Sequence, residues 1–233
     1  MHVEKIRNRL LGSLPASDLS MLRRHLRAVP IEQGQTLEYR GQTVERVYFP
    51  QTGLISLIVE TAEDAAIEVG MVGHDGAIGL TAGLGSRSSF IQALVQVSGT
   101  ACCMPLSRFQ AAATRSPRIR TMIARYSEMI VAQVQQTAAC NGLHDVPSRV
   151  SRWLLQTGDK IESDVIPFTQ EFLGEMLGVQ RTTISQVIGR LRTAGLVGTH
   201  HGRIEILDRP GLRKQACECY DVIRNHVDRL FRP

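Results

Sequence analysis

The feature that most constrains the fold is a stretch of twenty residues, 170–189, whose pattern predicts two helices joined at a glycine. Gly178 lies at the junction, where a tight turn needs a positive φ angle that costs glycine little. Gly174 lies in the first helix, where a small residue lets the second helix approach closely. The apolar residues fall where both helices would bury a shared core, and the segment therefore predicts a helix-turn-helix: Leu173, Leu177, Val179, Ile184 and Ile188.

The second of these helices begins with side chains that can read nucleic-acid bases. Arginine donates two parallel hydrogen bonds to guanine O6 and N7, and glutamine brackets N6 and N7 of adenine. We therefore take Arg181 and Gln186 as candidate base-reading residues, with Thr182 placed to meet a thymine methyl group or a base edge. The alternative is a capped, solvated surface helix. Neighbouring residues suit phosphate contacts, which set register without reading sequence: Thr169, Gln170, Gln180, Thr183, Ser185, His201 and Arg203.

Charge is distributed in a way that favours a polyanionic partner. The net charge is +5, which is only mildly basic. Residues 176–204, however, contain no Asp or Glu and include four arginines, Arg181, Arg190, Arg192 and Arg203. Such a stretch is typical of a phosphate-facing surface, although a solvated helix face would have a similar composition.

Two short strands are predicted after the second helix. Gly195 closes that helix as a C-cap. The alternating residues that follow form a hairpin around His200-His201-Gly202, the wing of a winged helix-turn-helix. Adjacent histidines on a strand point to opposite faces, so we interpret the wing tip as a backbone contact and expect no metal there.

The N-terminal half has a different pattern of apolar residues and glycines. Leucines at helical spacing predict short helices over residues 3–29, and residues 31–105 show short apolar runs separated by glycines. The clearest runs are 47–49, 54–59, 67–69 and 94–97. Many short strands with glycine turns predict a small β-barrel or jelly roll.

A long amphipathic helix is predicted to begin at Ser116-Pro117 and to end near residues 141–142. Its apolar residues repeat at alternating steps of four and three, which favours pairing with the same helix of a second chain. The alternative is a helix packed on its own domain. The predicted dimer interface consists of Ile119, Ile123, Tyr126, Ile130, Val134 and Thr137.

Five cysteines form no disulfide framework and no paired C-x-x-C motif, so we interpret them as buried or idle thiols and predict no metal site. The chain has no apolar run long enough to span a membrane, and its N-terminus is too charged for a secretory signal. We therefore expect a cytoplasmic protein.

In the order of these elements the sequence resembles the Crp/Fnr family of regulators, and the stretches at residues 143–150 and 173–184 resemble the family's hinge and DNA-reading segments. The resemblance implies an α+β fold. An N-terminal β-roll of the cyclic-nucleotide-binding, jelly-roll type with N-terminal helices would occupy residues 1–115. A dimerisation helix and hinge would occupy residues 116–144. A winged helix-turn-helix with a C-terminal helix would occupy residues 145–233.

The resemblance also implies a homodimeric transcription regulator that binds a near-palindromic site in double-stranded DNA, with RNA polymerase as a further partner. Arg181, Thr182 and Gln186 match the three positions that usually read bases. The family's catabolite activator has glutamate at the place of Thr182 and arginine at that of Gln186, so we expect a different operator sequence.

The resemblance weakens at the effector site. Cyclic-nucleotide binders of the family carry a Gly-Glu-Leu element followed by Arg-Ser, whereas residues 73–80 of this chain lack the glutamate. The matching candidate pocket consists of Gly73, Asp75, Arg87 and Ser88. We expect an effector other than cyclic AMP, or none. An iron–sulfur cluster is not expected because no cysteine precedes Cys102, and haem ligation by His74 stays open.

Two other classes of function were weighed against a DNA-binding regulator. An enzyme would need a nucleophile–base pair, a metal-ligand cluster or a phosphate-binding Gly-Lys loop, and the sequence suggests none of these. A signalling module could use its helix-turn-helix for protein contacts. The acid-free stretch argues against that use, and binding that is insensitive to salt would argue for it.

Overall fold

The computed structural model describes residues 6–60, 66–85 and 87–231. Within those ranges the chain divides into two compact units. The first draws on Met1–Ile58, Gly70–Val131 and Val227–Pro233, and the second on Val59–Val69 and Ala132–His226. This division falls inside the long helix, so the predicted functional boundaries after residues 115 and 144 stay a prediction.

The first unit begins with two short helices, α1 (Arg9–Gly12) and α2 (Ala16–Arg23). Asn8 caps α1 by accepting a hydrogen bond from the Leu11 amide. The leucines that predicted these helices are buried in the core of the unit, which confirms the helical spacing: Leu10, Leu11, Leu14, Leu22 and Leu26.

In the part of the chain that the structure describes, seven strands follow: β1 (Arg27–Ile31), β2 (Thr36–Glu38), β3 (Arg46–Pro50), β4 (Leu54–Glu60), β5 (Ala66–Val72), β6 (Gln92–Val97) and β7 (Gly99–Pro105). They form two sheets with the strand orders β1-β7-β3 and β2-β6-β4-β5. Each of the four predicted apolar runs lies in a strand, and the double-sheet arrangement is the predicted β-roll. Within the first unit the Phe49 ring of β3 packs edge-on against Phe109.

The predicted N-terminal helical segment extends too far, because residues 27–29 belong to strand β1. This strand contains Pro30, which pairs with Thr100 of β7. β1 lies at the edge of its sheet, where a proline does not remove a hydrogen bond that a neighbouring strand needs. Helix α3 (Leu106–Arg115), which follows β7 directly, was not among the predicted elements.

Helix α4 (Pro117–Leu143) is the predicted long helix. Ser116 caps it as expected, since its Oγ accepts a hydrogen bond from the Ile119 amide at 3.2 Å. Within the described residues, no helix combines the length and apolar character needed to span a bilayer.

The predicted dimer seam of α4 is wrong for three of its residues. Ile119, Ile123 and Tyr126 are fully buried in the core of their own unit. The Tyr126 hydroxyl donates to the Ala77 carbonyl at 2.7 Å and accepts from the Ala77 amide at 3.0 Å. A side chain held in this way cannot face a second chain, so the alternative of a helix packed on its own domain holds for this stretch.

The second unit contains α5 (Val146–Ile161), β8 (Val165–Ile166), α6 (Gln170–Leu177), α7 (Arg181–Thr193), β9 (Val197–His200), β10 (Arg203–Ile206), α8 (Arg209–Gln215) and α9 (Cys219–Leu230), the last of which ends in the first unit. The strands form one sheet in the order β8-β10-β9. Asp145 caps α5 by accepting a hydrogen bond from the Ser148 amide at 2.9 Å.

An aromatic cluster forms part of the core of the second unit. Trp153 of α5 is 1% exposed, and its ring meets that of Phe168 edge-on at 5.6 Å between centroids. Phe168 stacks in turn on Phe172 at 4.5 Å. The indole Nε1 donates to Oε1 of Glu68 at 2.9 Å, which satisfies the one polar group of the buried tryptophan.

Candidate nucleic-acid interface

Helices α6 and α7 form the predicted helix-turn-helix. Gly178 ends α6 with φ at +62°, the left-handed conformation that the turn requires. A Cβ atom added to Gly174 would lie 2.7 Å from the Val179 carbonyl oxygen, so the two helices approach as closely as the sequence predicted. Val179 is half-buried, and the other predicted core residues are buried: Leu173, Leu177, Ile184 and Ile188.

Replacing Gly174 by alanine is expected to destabilise the second unit by about 1–3 kcal/mol, because the backbone of the turn must move to admit the new methyl group. Thermal unfolding followed by circular dichroism measures this change. The matched control is Gly189→Ala in α7, where an added Cβ meets nothing within 4 Å. Alanine there should stabilise the helix by about 0.5–1 kcal/mol. Equal stability of the two variants would contradict the close packing at Gly174.

The candidate base-reading residues lie together on the exposed face of α7. Arg181, Thr182 and Gln186 are all exposed, and 70% of the Arg181 side chain is accessible to solvent. Thr182 and Gln186 are four residues apart, as are Arg181 and Ser185, so these side chains are neighbours on one surface of the helix. Ile184 and Ile188 point to the opposite, buried side.

The start of α7 has unsatisfied hydrogen-bonding capacity. Its N-cap is Gln180, whose side chain makes no capping hydrogen bond, and the first turn contains no acidic residue. The N–H groups of a helix start and the positive end of the helix dipole favour an anion such as phosphate. The predicted phosphate contact Gln180 is exposed at this point, whereas Thr183 is half-buried.

Three predicted phosphate contacts already have partners within the unit. The Ser185 hydroxyl donates to Oε1 of Gln170 at 2.7 Å, which fixes the start of α6 against α7. Thr169 caps α6, since its hydroxyl oxygen accepts a hydrogen bond from the Phe172 amide at 3.1 Å. The hydroxyl proton of Thr169 is not used in that bond and can still be donated.

Strands β9 and β10 form the predicted wing. The turn between them consists of His201 and Gly202, with φ at +46° and +76°. Positive φ at both central residues is typical of the tight two-residue hairpin turn. The turn presents His201 to solvent, and Arg203 at the start of β10 is exposed as well.

A shallow groove of about 430 Å³ lies between the wing and the starts of α6 and α7. Five residues that the sequence analysis assigned to DNA contacts line it, and the structure thus brings them onto one concave surface: Thr169, Gln170, Arg181, His201 and Arg203. Glu171 lines the same groove, and its Oε2 lies 3.8 Å from Nη1 of Arg181. Both side chains are largely exposed, so this ion pair contributes little to stability.

The candidate effector residues lie in the first unit, in different environments. Gly73 and Asp75 are buried, whereas Arg87 and Ser88 are exposed. The Arg87 guanidinium donates to Oε1 of Gln110 on α3 at 2.7 Å, which directs its charge along the surface. A phosphate-neutralising arginine would have to leave this partner. A separate hollow of about 560 Å³ in the same unit is lined by residues of the β2–β3 region.

One cluster of side chains of metal-ligating types was not predicted from the sequence. Cys140 and His144 at the end of α4 meet Cys217 and Cys219 from the region around the start of α9. A spacing of four positions places two side chains on one face of a helix, and His144 directly follows the last residue of α4. That spacing was the signal available in the sequence. Cys217 is 77 positions after Cys140, so the sequence did not indicate the rest of the cluster.

Comparison with known proteins agrees with the arrangement of these elements. Residues 148–215 match the Crp-like helix-turn-helix domain. Over 196 residues the chain is 24% identical to the global nitrogen regulator of Synechococcus elongatus, covering 79% of this chain and 87% of that protein.

Two solved structures have the same fold. A transcriptional regulator of the Crp/Fnr family from Eubacterium rectale aligns with a TM-score of 0.69 at 15% identity, covering 88% of this chain and 96% of that one. FixK2 from Bradyrhizobium japonicum aligns with a TM-score of 0.72 at 15% identity, covering 82% and 98%. The chain thus contains a Crp-like helix-turn-helix domain, is similar in sequence to a global nitrogen regulator along most of its length, and has the fold of solved Crp/Fnr-family regulators.

Proposed function

We propose that the protein is a homodimeric regulator that binds a specific, near-palindromic DNA sequence through α7. One observation carries this proposal. Arg181, Thr182 and Gln186 are exposed side by side at the start of a helix that the wing flanks, on a surface formed largely by the acid-free residues 176–204. A helix with this face can enter a major groove, which is wide enough to admit it.

In this proposal the DNA contacts divide into two groups. Arg181, Thr182 and Gln186 read base edges from the major groove. The free amides at the start of α7 and the wing residues His201 and Arg203 hold phosphates on either side. The phosphate contacts fix the position of α7, and only the three base-reading residues decide which sequence is preferred. Guanine O6 and N7 would replace Glu171 as the partner of Arg181 in the complex.

We propose that the dimer forms through the exposed face of α4. Ala124, Val131 and Ala138 repeat every seven residues and are exposed, and Val131 is 53% exposed. A seven-residue repeat of apolar residues is the pattern of a two-helix seam, and alanines allow the helices to approach closely. Ile130 and Val134, from the sequence-based interface, are partly exposed and border this seam. Thr137 is buried in the single chain.

The proposal also covers the effector and the protein partner. The effector is a molecule other than cyclic AMP, or is absent, because Arg87 is engaged by Gln110 and no glutamate follows Gly73. RNA polymerase is the proposed further partner. The protein acts through DNA binding and has no catalytic step of its own.

The test is to select binding sequences from fragmented bacterial DNA with the purified protein and no added ligand, at two salt concentrations. We expect an inverted repeat whose half-site centres lie about 34 Å apart, one turn of DNA. Affinity should fall steeply with salt, because phosphate contacts release counterions. Sedimentation of the free protein should give the mass of a dimer.

Two results would contradict the proposal. A selected site without two-fold symmetry, bound by a monomer, would exclude the dimer. Binding that does not change with salt would favour a helix-turn-helix used for protein contacts. If no sequence is recovered, the selection is repeated with candidate metabolites, and failure there as well would exclude the DNA-binding function.

A further inference from the structure

Three cysteines and a histidine of the second unit converge on one point. Their ligand atoms, three Sγ and one histidine nitrogen, all lie within 4.8 Å of one another. The Sγ atoms of Cys140 and Cys217 are 3.4 Å apart, and Sγ of Cys219 is 3.5 Å from Nδ1 of His144. α4 supplies Cys140, His144 directly follows the last residue of α4, and the chain around the start of α9 supplies the other two side chains.

These separations fit ligands that surround a single ion. Zinc binds thiolates at about 2.3 Å and imidazole nitrogen at about 2.0–2.1 Å in a tetrahedron, which places neighbouring ligand atoms about 3.5–3.8 Å apart. Three cysteines with one histidine are an established donor set for structural zinc. An iron–sulfur cubane would need a wider spread, because its cysteines bind different iron atoms.

The surroundings of the cluster match those of metal ligands. Nε2 of His144 lies 3.1 Å from Oε1 of Glu218, so the carboxylate holds the ring with its Nδ1 toward the sulfurs. Metal-binding histidines commonly donate their second nitrogen to a carboxylate in this way. Nε2 of Gln136 donates to Sγ of Cys219 at 3.0 Å, a contact that would stabilise a thiolate.

Two buried arginines supply positive charge beside the sulfurs. Arg149 is 8% exposed and Arg152 is 3% exposed, and in the described part of the chain neither takes part in a salt bridge. The Arg149 guanidinium donates to the Leu177 carbonyl, and Arg152 donates to Oε1 of Gln156. A buried charge without a counter-charge is costly. Three thiolates and one imidazole around a divalent ion carry a net charge of −1, which would compensate this positive charge.

The three thiols are shielded from solvent. Cys140 and Cys219 are fully buried, and Cys217 is nearly so. Simple packing of buried thiols does not require an imidazole, an amide and a carboxylate to be ordered around them.

We propose that Cys140, His144, Cys217 and Cys219 bind one thiophilic divalent ion and that Zn²⁺ is the ion this donor set suits best. The ion ties the end of α4 to the start of α9. Each thiol that is still protonated releases its proton to solvent on binding, and no electron is transferred. The site is independent of the proposed DNA contacts.

The test uses the full-length protein, purified under reducing conditions, with metal content measured by plasma mass spectrometry. We expect one zinc per chain. After chelation and refilling with Co²⁺, the wild-type protein should show the sulfur-to-cobalt charge-transfer bands and intense visible bands of a tetrahedral thiolate site. Cys217→Ser and His144→Ala should each lose the bound zinc. Cys102→Ser and Cys103→Ser, which remove buried thiols of the first unit, should retain it.

Several results would overturn the proposal. A folded wild-type protein that retains no zinc and gives no cobalt–thiolate bands has no such site, whatever happens to the variants. Retention of zinc by both Cys217→Ser and His144→Ala would place the ion elsewhere. A disulfide between Cys140 and Cys217 that persists in reductant, found by mass spectrometry, would assign these thiols to a covalent link.

Discussion

Replacing Arg181 by alanine is expected to remove discrimination at one base pair of each half-site of the selected operator. The guanidinium is exposed at the start of α7, and two hydrogen bonds to guanine are worth about 1–3 kcal/mol, or about 5–150-fold in affinity. Competition binding with operators changed at single positions measures this loss. The variant should bind the original sequence and the one altered at that position about equally, while the other positions keep their preferences.

The matched control for this experiment is Arg213→Ala. Arg213 is also a surface arginine of the second unit paired with an acid, since its Nη2 lies 2.7 Å from Oδ1 of Asp221. It lies on α8, outside the groove, so its loss should change affinity for all sequences by the same small factor. If Arg181→Ala retained the full preference at every position, the assignment of Arg181 as a base-reading residue would be wrong.

Of the substitutions proposed for this protein, Trp153→Ala should lower the free energy of unfolding the most. The side chain is 1% exposed and packs against Phe168, and the change leaves a cavity in the core of the second unit. Truncation of a buried aromatic residue costs about 3–5 kcal/mol. The free energy of unfolding of a folded domain is only about 5–15 kcal/mol, so the second unit should lose much of its stability. Urea unfolding followed by circular dichroism measures the change.

Circular dichroism is needed because Trp153 is the only tryptophan of the chain, and the variant loses that fluorescence signal. Trp153→Phe separates the two contributions of the residue. It retains a ring for Phe168 and removes the indole N–H that donates to Glu68, so we expect a smaller loss of about 1–3 kcal/mol. The control is Leu207→Ala, at an exposed position of the same unit. Equal stability of Trp153→Ala and this control would contradict the packing.

The sequence predicted those parts of the fold that neighbouring residues decide. Gly178 must end α6 because its conformation is set by its own φ angle, and Ser116, Asp145 and Thr169 cap helices that begin next to them. The exposed face of α7 follows from the spacing of Ile184 and Ile188 within one helix. These features depend on sterics and hydrogen bonds over a few residues.

Other features depend on which distant surface each side chain meets. The apolar stripe of α4 could pack against a second chain or against its own domain. The hydrogen bond between Tyr126 and Ala77, which exists only in the folded chain, decides for its own domain. Pro30 lies in a strand because Thr100 pairs with it at a sheet edge.

The sequence by itself determined the helix-turn-helix, its wing and the exposed face of α7. The tertiary structure decided which face of α4 remains exposed, and it brought Cys140 within 3.4 Å of Cys217. The physical reason is the distance along the chain between the interacting groups. A helix, cap or turn is fixed by groups a few residues apart, whereas a core or a ligand cluster forms only when the folded chain brings distant segments into contact.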